Sequence, residues 1–148
     1  TDTVRAGIVG AGYYLYANVE NLILEGNTPF GVGNELANTI TGNATGNFLL
    51  GGAGDDVLNG KGGNDVLFGE AGADTFIFEH GTGGDVIGDF QTGLDKINLA
   101  AIGFSSFTSV QLAMIQNGNV GAIDLGGGDL LVLHNVTMSA LTAADFIL

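Results

Sequence analysis

The sequence has no cysteine, three basic residues, two histidines and no long apolar run. Without cysteine there is no disulfide to hold the chain and no thiol nucleophile, and the compartment is left open. Three basic against 16 acidic residues, a net charge of −13, argue against a nucleic-acid partner, because a phosphate backbone is bound by a basic surface. A membrane-spanning helix needs about 20 consecutive apolar residues, and a Sec-type leader opens basic and then apolar. Neither pattern occurs, so the chain is expected neither to insert into a membrane nor to begin with such a signal. Catalytic signatures are missing too: there is no H-E-x-x-H or G-x-S-x-G, and His80 and His134 stand far apart. Both histidines read as surface or structural residues, and no active site is expected.

Glycine is abundant, 27 of 148 residues, and it recurs in a fixed place. Five nonapeptides, GNELANTIT, GNATGNFLL, GGAGDDVLN, GKGGNDVLF and GEAGADTFI, run without a break from Gly33 to Ile77. Each opens with glycine and carries Asn or Asp at its sixth place: Asn38, Asn47, Asp56, Asp65 and Asp74. Each has a large apolar residue at its eighth: Ile40, Leu49, Leu58, Leu67 and Phe76. One apolar anchor per nonapeptide cannot close a core alone, but stacked copies bury a continuous apolar ladder. The glycine half supplies turns and the x-U-x tail, such as VLN or TFI, supplies a short strand. Two units make one full coil, so loops two units apart lie above one another.

Asn38, Asp56 and Asp74 then form one column and Asn47 and Asp65 the other. Eight carboxylates fall between Gly51 and Phe90 against Lys61 alone, so the negative charge is concentrated on these loops. Stacked carboxylates at ~4 Å repel by about 1 to 4 kcal/mol per pair, and a cation between them removes that cost. Hard oxygen donors with no cysteine and almost no histidine nearby suit calcium better than zinc, copper or iron.

GGAGDDVLN resembles the RTX nonapeptide consensus G-G-x-G-x-D-x-U-x, a calcium-binding repeat. The resemblance implies an all-β fold, a right-handed parallel β-roll stapled by calcium. It also implies ions held between loops one coil apart by sixth-position carboxylates and loop carbonyls. Carried over, one site pairs Asp56 with Asp74, assisted by carbonyls near Gly51, Ala53 and Gly72. A second sets Asp65 against the acidic loop GTGGDVIGDF, with Asp85 and Asp89 as candidates and the carbonyls of Gly60 and Gly62 assisting. The strict two-unit step from Asp65 lands on Gly83, so a two-residue slip is expected after Ile77. Asn38 and Asn47 offer only a neutral oxygen and imply weaker sites or none. About two to four calcium ions are expected, with occupancy falling toward the N-terminal end.

Residues 1–32 read as degenerate repeats or a spacer of the roll, alternating around Val4, Ile8, Tyr14, Leu22 and Leu24. They resemble the spacers found between RTX blocks, and Asp2-Thr3-Val4 resembles the tail of a preceding unit, so the chain is expected to begin inside a longer array. GIVGAG, Gly7 to Gly12, mimics a dinucleotide-binding turn, but Leu15 stands where its third glycine belongs and no βαβ pattern follows. Residues 33–90 are the roll itself. Residues 91–148 read as a cap continuous with it, containing a hairpin whose strands flank the Gly126–Gly128 turn and cover the open end of the coil. Asp85 to Leu99 resembles the segment that ends the roll in serralysin-like secreted proteins. There Asp95 either binds a last ion or pairs with Lys96, the second being favoured. The final SALTAADFIL is similar to the tails of type I secretion substrates and also reads as an ordinary capping strand.

The function these features imply is a calcium-binding C-terminal module of a larger secreted or cell-surface protein. It would fold on calcium after passage through a type I exporter, a transient partner. The alternative is a carbohydrate-binding accessory module with a polysaccharide partner, as in alginate epimerases.

Overall fold

The computed structural model describes residues 1–7 and 10–148. Ile8 and Val9, and with them the centre of the GIVGAG motif, lie outside the described residues.

Short strands alternate between two sheets as the nonapeptide period requires. One sheet is parallel throughout: β1 (Thr3–Ala6), β3 (Asn21–Leu24), β5 (Thr39–Thr41), β7 (Val57–Asn59), β9 (Thr75–Ile77), β11 (Lys96–Asn98) and β15 (Phe146–Ile147), in that order. The other begins with β2 (Tyr13–Tyr14), β4 (Phe30–Val32), β6 (Phe48–Ala53), β8 (Val66–Ala71) and β10 (Gly84–Ile87), again parallel. It is completed by β14 (Asp129–His134), parallel to β10, and by the antiparallel β13 (Val120–Gly126) and β12 (Met114–Asn117). The molecule is an all-β solenoid of about 5 turns, with the β13–β14 hairpin turning through Gly126 to Gly128, all at positive φ.

The eighth-position residues face inward. In the first sheet Leu22, Ile40, Leu58, Phe76 and Ile97 stand in register, and in the second Leu49, Leu67, Ile87 and Leu133 do so. All nine are fully buried. Burying a side chain of this size contributes about 1.5–3 kcal/mol, so the ladder is the main source of cohesion.

The step between stacked strands is two nonapeptides up to β9 and then lengthens. Val66 pairs with Val86 rather than with Gly84, and Thr75 with Lys96 rather than with Gly93. The two-residue slip after Ile77 is thus present, and one more residue enters before Lys96. The register survives because each extra residue is absorbed in a loop, where Gly81, Gly83 and Gly93 take positive φ.

The last coil is closed by α1 (Phe107–Ala113), the hairpin and β15. Ser106 and Ser109 form a capping box at the helix start, and Val110 is its buried residue. Ile123, Leu131, Val136, Met138 and Leu141 complete the buried core over the end of the coil. The C-terminal segment is a capping strand, Phe146 pairing with Ile97. Among the described residues no helix is long and apolar enough to cross a membrane.

Candidate metal centre

Each coil turns at two edges, and the sixth-position side chain of each unit sits in the turn. Along one edge the backbone N–H of Asn38 donates to Asp56 Oδ1 at 2.7 Å, that of Asp56 to Asp74 Oδ1 at 2.9 Å, and that of Asp74 to Asp95 Oδ1 at 3.0 Å. Along the other, Asn47 N–H donates to Asp65 Oδ1 at 2.7 Å and Asp65 N–H to Asp85 Oδ1 at 2.9 Å. One oxygen of every aspartate therefore ties its coil to the preceding one. All these side chains are buried.

The second oxygen differs. Oδ2 of Asp56, Asp65 and Asp74 is buried and has no hydrogen-bond partner. A buried carboxylate oxygen without a donor is costly, so a missing positive partner is the simplest chemical account of three such atoms in register. Each points at the glycine opening its own unit: a methyl group added at Gly51, Gly60 or Gly69 would overlap Asp56 Oδ2, Asp65 Oδ2 or Asp74 Oδ2 respectively. The same added methyl at Gly51 would lie 2.8 Å from the carbonyl oxygen of Gly69. Carboxylate and carbonyl oxygens thus converge on a cradle that only glycine leaves open.

Electrostatics point the same way. Burial, which penalises the charged form, pushes the Asp56 carboxyl up to about 7, and those of Asp65, Asp74 and Asp85 to about 6. The neighbouring carboxylate of the next coil adds to the rise at Asp56, Asp65 and Asp74, while the backbone N–H each accepts opposes it. No group of three or more His, Cys, Asp or Glu side chains converges among the described residues. Any site is therefore built from paired carboxylates and backbone carbonyls, a donor set that fits a hard divalent cation such as calcium.

The two leading loops are closed differently. Asn38 Oδ1 accepts from Asn34 N–H and Asn47 Oδ1 from Asn43 N–H, each at 2.7 Å. Their amides donate to carbonyls, Asn38 Nδ2 to Val19 O at 3.2 Å and Asn47 Nδ2 to Thr28 O at 3.0 Å. The carbonyls of Gly51 and Gly60 close on Gly33 and Gly42 in these loops as Gly69 O does on Gly51. An amide N–H does there what positive charge would do in the aspartate loops.

The remaining expected residues are placed as follows. The amides of Ala53 and Gly62 are held by the carbonyls of Asn34 and Asn43, both at 3.0 Å, and Gly72 packs on the carbonyl of Gly54. Asp85 stands over Asp65. Asp89 does not join them: its carboxylate accepts from Gly69 N–H at 3.1 Å and Glu70 N–H at 2.8 Å, on the edge of Asp74 and Asp95. The grouping of Asp89 with Asp65 is corrected accordingly: β10 (Gly84–Ile87) runs from the edge of Asp65 and Asp85 to the other, so Asp89, past its end, lies on the opposite edge. Asp95 is the next member of the Asp74 column, its Oδ2 accepting from Gln91 N–H at 2.8 Å, whereas Lys96 Nζ donates to Ala144 O rather than to Asp95.

Two residues not anticipated from sequence end the columns. Asp129 accepts from Gly81 and Gly83 N–H at 2.7 and 2.9 Å, bonds that hold its carboxyl below the usual range. Asp145 accepts from Gly93 N–H at 2.7 Å and closes a capping box with Thr142. The signal for Asp145 is the T-x-x-D spacing; Asp129 has none, because it reaches back 46 residues to Gly83.

The fold and its edges define a class: a parallel β-solenoid whose turns carry columns of buried carboxylates. Residues 32–67 and 41–76 match the RTX calcium-binding nonapeptide repeat, in four copies. Residues 32–76 are thus RTX calcium-binding nonapeptide repeats. Over 145 residues, 98% of its length, it is 42% identical to endo-1,3-1,4-beta-glycanase EglC of Rhizobium meliloti (strain 1021) and spans 28% of that protein. In fold it is similar to the extracellular lipase LipA of Serratia marcescens, with a TM-score of 0.54 and 14% identity over 99% of this chain and 38% of the lipase. A further match is the AlgE6R3 subunit of an Azotobacter vinelandii mannuronan C5-epimerase, with a TM-score of 0.34 and 25% identity over 76% of this chain and 78% of that one.

Proposed function

We propose that the chain is a non-catalytic, calcium-binding C-terminal module of a larger secreted protein, and that calcium folds it after type I export. The observation that carries this reading is the set of three buried, partnerless Oδ2 atoms of Asp56, Asp65 and Asp74. Bound calcium would supply the positive charge that these oxygens lack. Asp56 with Asp74, and Asp65 with Asp85, would hold the ions with the carbonyl of Gly69 and those of Ala53, Gly62 and Gly72, while the carbonyls of Gly51 and Gly60 face the Asn38 and Asn47 loops. Asp89 would orient the Gly69–Glu70 loop. The Asn38 and Asn47 loops, already closed by hydrogen bonds, support fewer or weaker ions there, giving two to four per chain.

Sites of extracellular type bind calcium at about 10⁻⁴ to 10⁻³ M, so they fill outside the cell and stay empty in cytosol. A site at ten times its Kd adds about 1.4 kcal/mol, and several together rival the ~5–15 kcal/mol that separates folded from unfolded for a typical domain. Carboxylate repulsion keeps the chain open inside the cell, and export delivers it to calcium. Circular dichroism in excess chelator and in millimolar calcium tests this: a β-rich spectrum only in calcium is expected, and identical spectra would refute it.

A second reading, a polysaccharide-binding accessory role, is favoured by the 42% identity to a glycanase of which this chain spans 28%. The two roles are compatible, since calcium acts at the turns and leaves the sheet faces free.

A further inference from the structure

The two sheets present unlike faces to solvent. Outward from the seven-stranded sheet the rows mix polar and apolar side chains: Asn21, Thr39, Val57, Thr75 and Lys96 in one, Ile23, Thr41, Asn59, Ile77 and Asn98 in the other. The eight-stranded sheet carries the aromatic residues and no charge in its two central outward rows. One row in register across it runs Phe30, Phe48, Val66, Val86, Val132 and, beyond Ala122, Ile115. A second row beside it runs Tyr14, Val32, Leu50 and Phe68. Neither row contains an acid or a base. Alternation places both on the outside, because their strand neighbours Leu49, Leu67 and Ile87 fill the core.

Aromatic rings crowd one end of this face. Phe30 lies over Gly12 and Phe68 over Gly88, where any Cβ would collide with the ring. Tyr14 meets Phe30 edge-on at 5.7 Å and Phe48 meets Phe68 at 5.5 Å. Tyr14, Tyr16 and Phe48 remain 62%, 76% and 41% exposed.

We infer that this face binds a strand of uncharged polysaccharide lying across the strands, which deepens and rests on the accessory-module reading above. Shape is the first argument. The longer row crosses seven strands, six spacings of about 4.8 Å or roughly 29 Å, and the second row flanks it over β4, β6 and β8, so the ribbon is about 10 Å wide there and narrower beyond. Its area, roughly 250 Å², is well below the ~800 Å² per partner that a stable protein interface buries, so a second copy is a poor occupant. A single polymer strand matches a long, narrow ribbon. Charge is the second argument. Carboxylates line the turns on either side and the chain carries −13, so a polyanion is repelled and a neutral chain is not. Aromatic faces and tyrosine hydroxyls then supply the apolar contact and polar edge that sugar rings present.

The test is affinity electrophoresis of the calcium-loaded chain in gels containing soluble β-1,3-1,4-glucan or alginate, with circular dichroism and sedimentation on the same samples. The glucan is expected to retard the chain and alginate not to. The double variant Tyr14→Ala, Phe48→Ala is expected to bind at least about tenfold more weakly, while Thr39→Ala, Thr75→Ala on the other sheet binds as the parent does. Absence of retardation by glucan, equal losses on both faces, or stronger retardation by alginate overturns the inference. So does a dimer abolished by the Tyr14, Phe48 pair, which would make a second copy the occupant. The dichroism reports calcium-dependent folding separately, so loss of sugar binding and loss of the folding reading are distinguishable.

Discussion

Asp56 donates its backbone N–H to Asp74 Oδ1 at 2.9 Å across one coil, and the other oxygen of Asp74 is left buried without a donor. One carboxylate therefore performs two tasks. Oδ1 stitches coils together through a bond that needs no ion, and Oδ2 creates a demand for positive charge.

Replacing Asp74 with alanine removes both. The stitch to Asp56 is lost together with the proposed cation ligand, leaving a buried N–H unsatisfied, at a cost of about 1–3 kcal/mol. Calcium-dependent thermal unfolding should show a lower melting temperature in saturating calcium and a weaker calcium midpoint. An unchanged midpoint would remove Asp74 from the ion site.

Asp65→Asn separates the two tasks. The amide keeps an oxygen for Asn47 N–H and puts its nitrogen where Asp65 Oδ2 stands, against Gly60. In chelator this variant should be more folded than the parent, because one of the stacked charges is gone; in calcium it should hold fewer ions. Native mass spectrometry gives the ion count and dichroism the folded fraction.

Gly60→Ala tests the cradle without replacing a carboxylate. The added methyl overlaps Asp65 Oδ2 and pushes that carboxylate out of its place. Overpacking of this kind costs about 1–3 kcal/mol, and the calcium dependence of folding should weaken with it. Gly60 does not have positive φ, so its substitution adds no left-handed backbone strain; Gly103→Ala, at φ 84 and with open space around it, shows what strain alone does and is expected to lower stability without altering the calcium midpoint.

The pH response reverses with calcium. In the folded, cation-free chain Asp56 titrates at about 7 and Asp65, Asp74 and Asp85 at about 6, all above the ordinary 3.8 of an unfolded chain. The folded state therefore binds more protons between about pH 4 and 7, and the stability these groups contribute is fully present below that window and lost as pH rises through 6 to 7. In chelator, lowering the pH from about 8 to about 5 should increase β-structure. In calcium the same change should weaken binding, since protons compete for the same oxygens. Dichroism at both pH values, with and without calcium, checks the pair of signs.

The nonapeptides were legible from sequence because the period fixes three things at once: the glycine that opens the cradle, the side chain in the turn, and the apolar anchor. That is why Ile40, Leu58 and Phe76 stack as the spacing requires. Legibility fails where the step changes. One residue inserted before Lys96 hides Asp95 as the successor of Asp74, whereas Asp89, four places after Asp85 as Gly60 is after Asp56, falls past the next strand and so on the other edge. Asp129 and Asp145 are invisible for another reason: they cap the columns from 46 and 52 residues away. The outer aromatic face leaves no periodic trace either, because Phe48 and Phe68 flank the inward eighth-position residues and hold different places in their nonapeptides.

The central claim is that divalent ions sit against Asp56, Asp65 and Asp74 between successive coils. Anomalous diffraction from crystals grown in millimolar calcium measures this directly. The account predicts calcium peaks beside the Oδ2 atoms of these residues, within reach of the neighbouring loop carbonyls. Crystals with ordered loops and no anomalous density there, their carboxylates satisfied by protein donors or water, would contradict it.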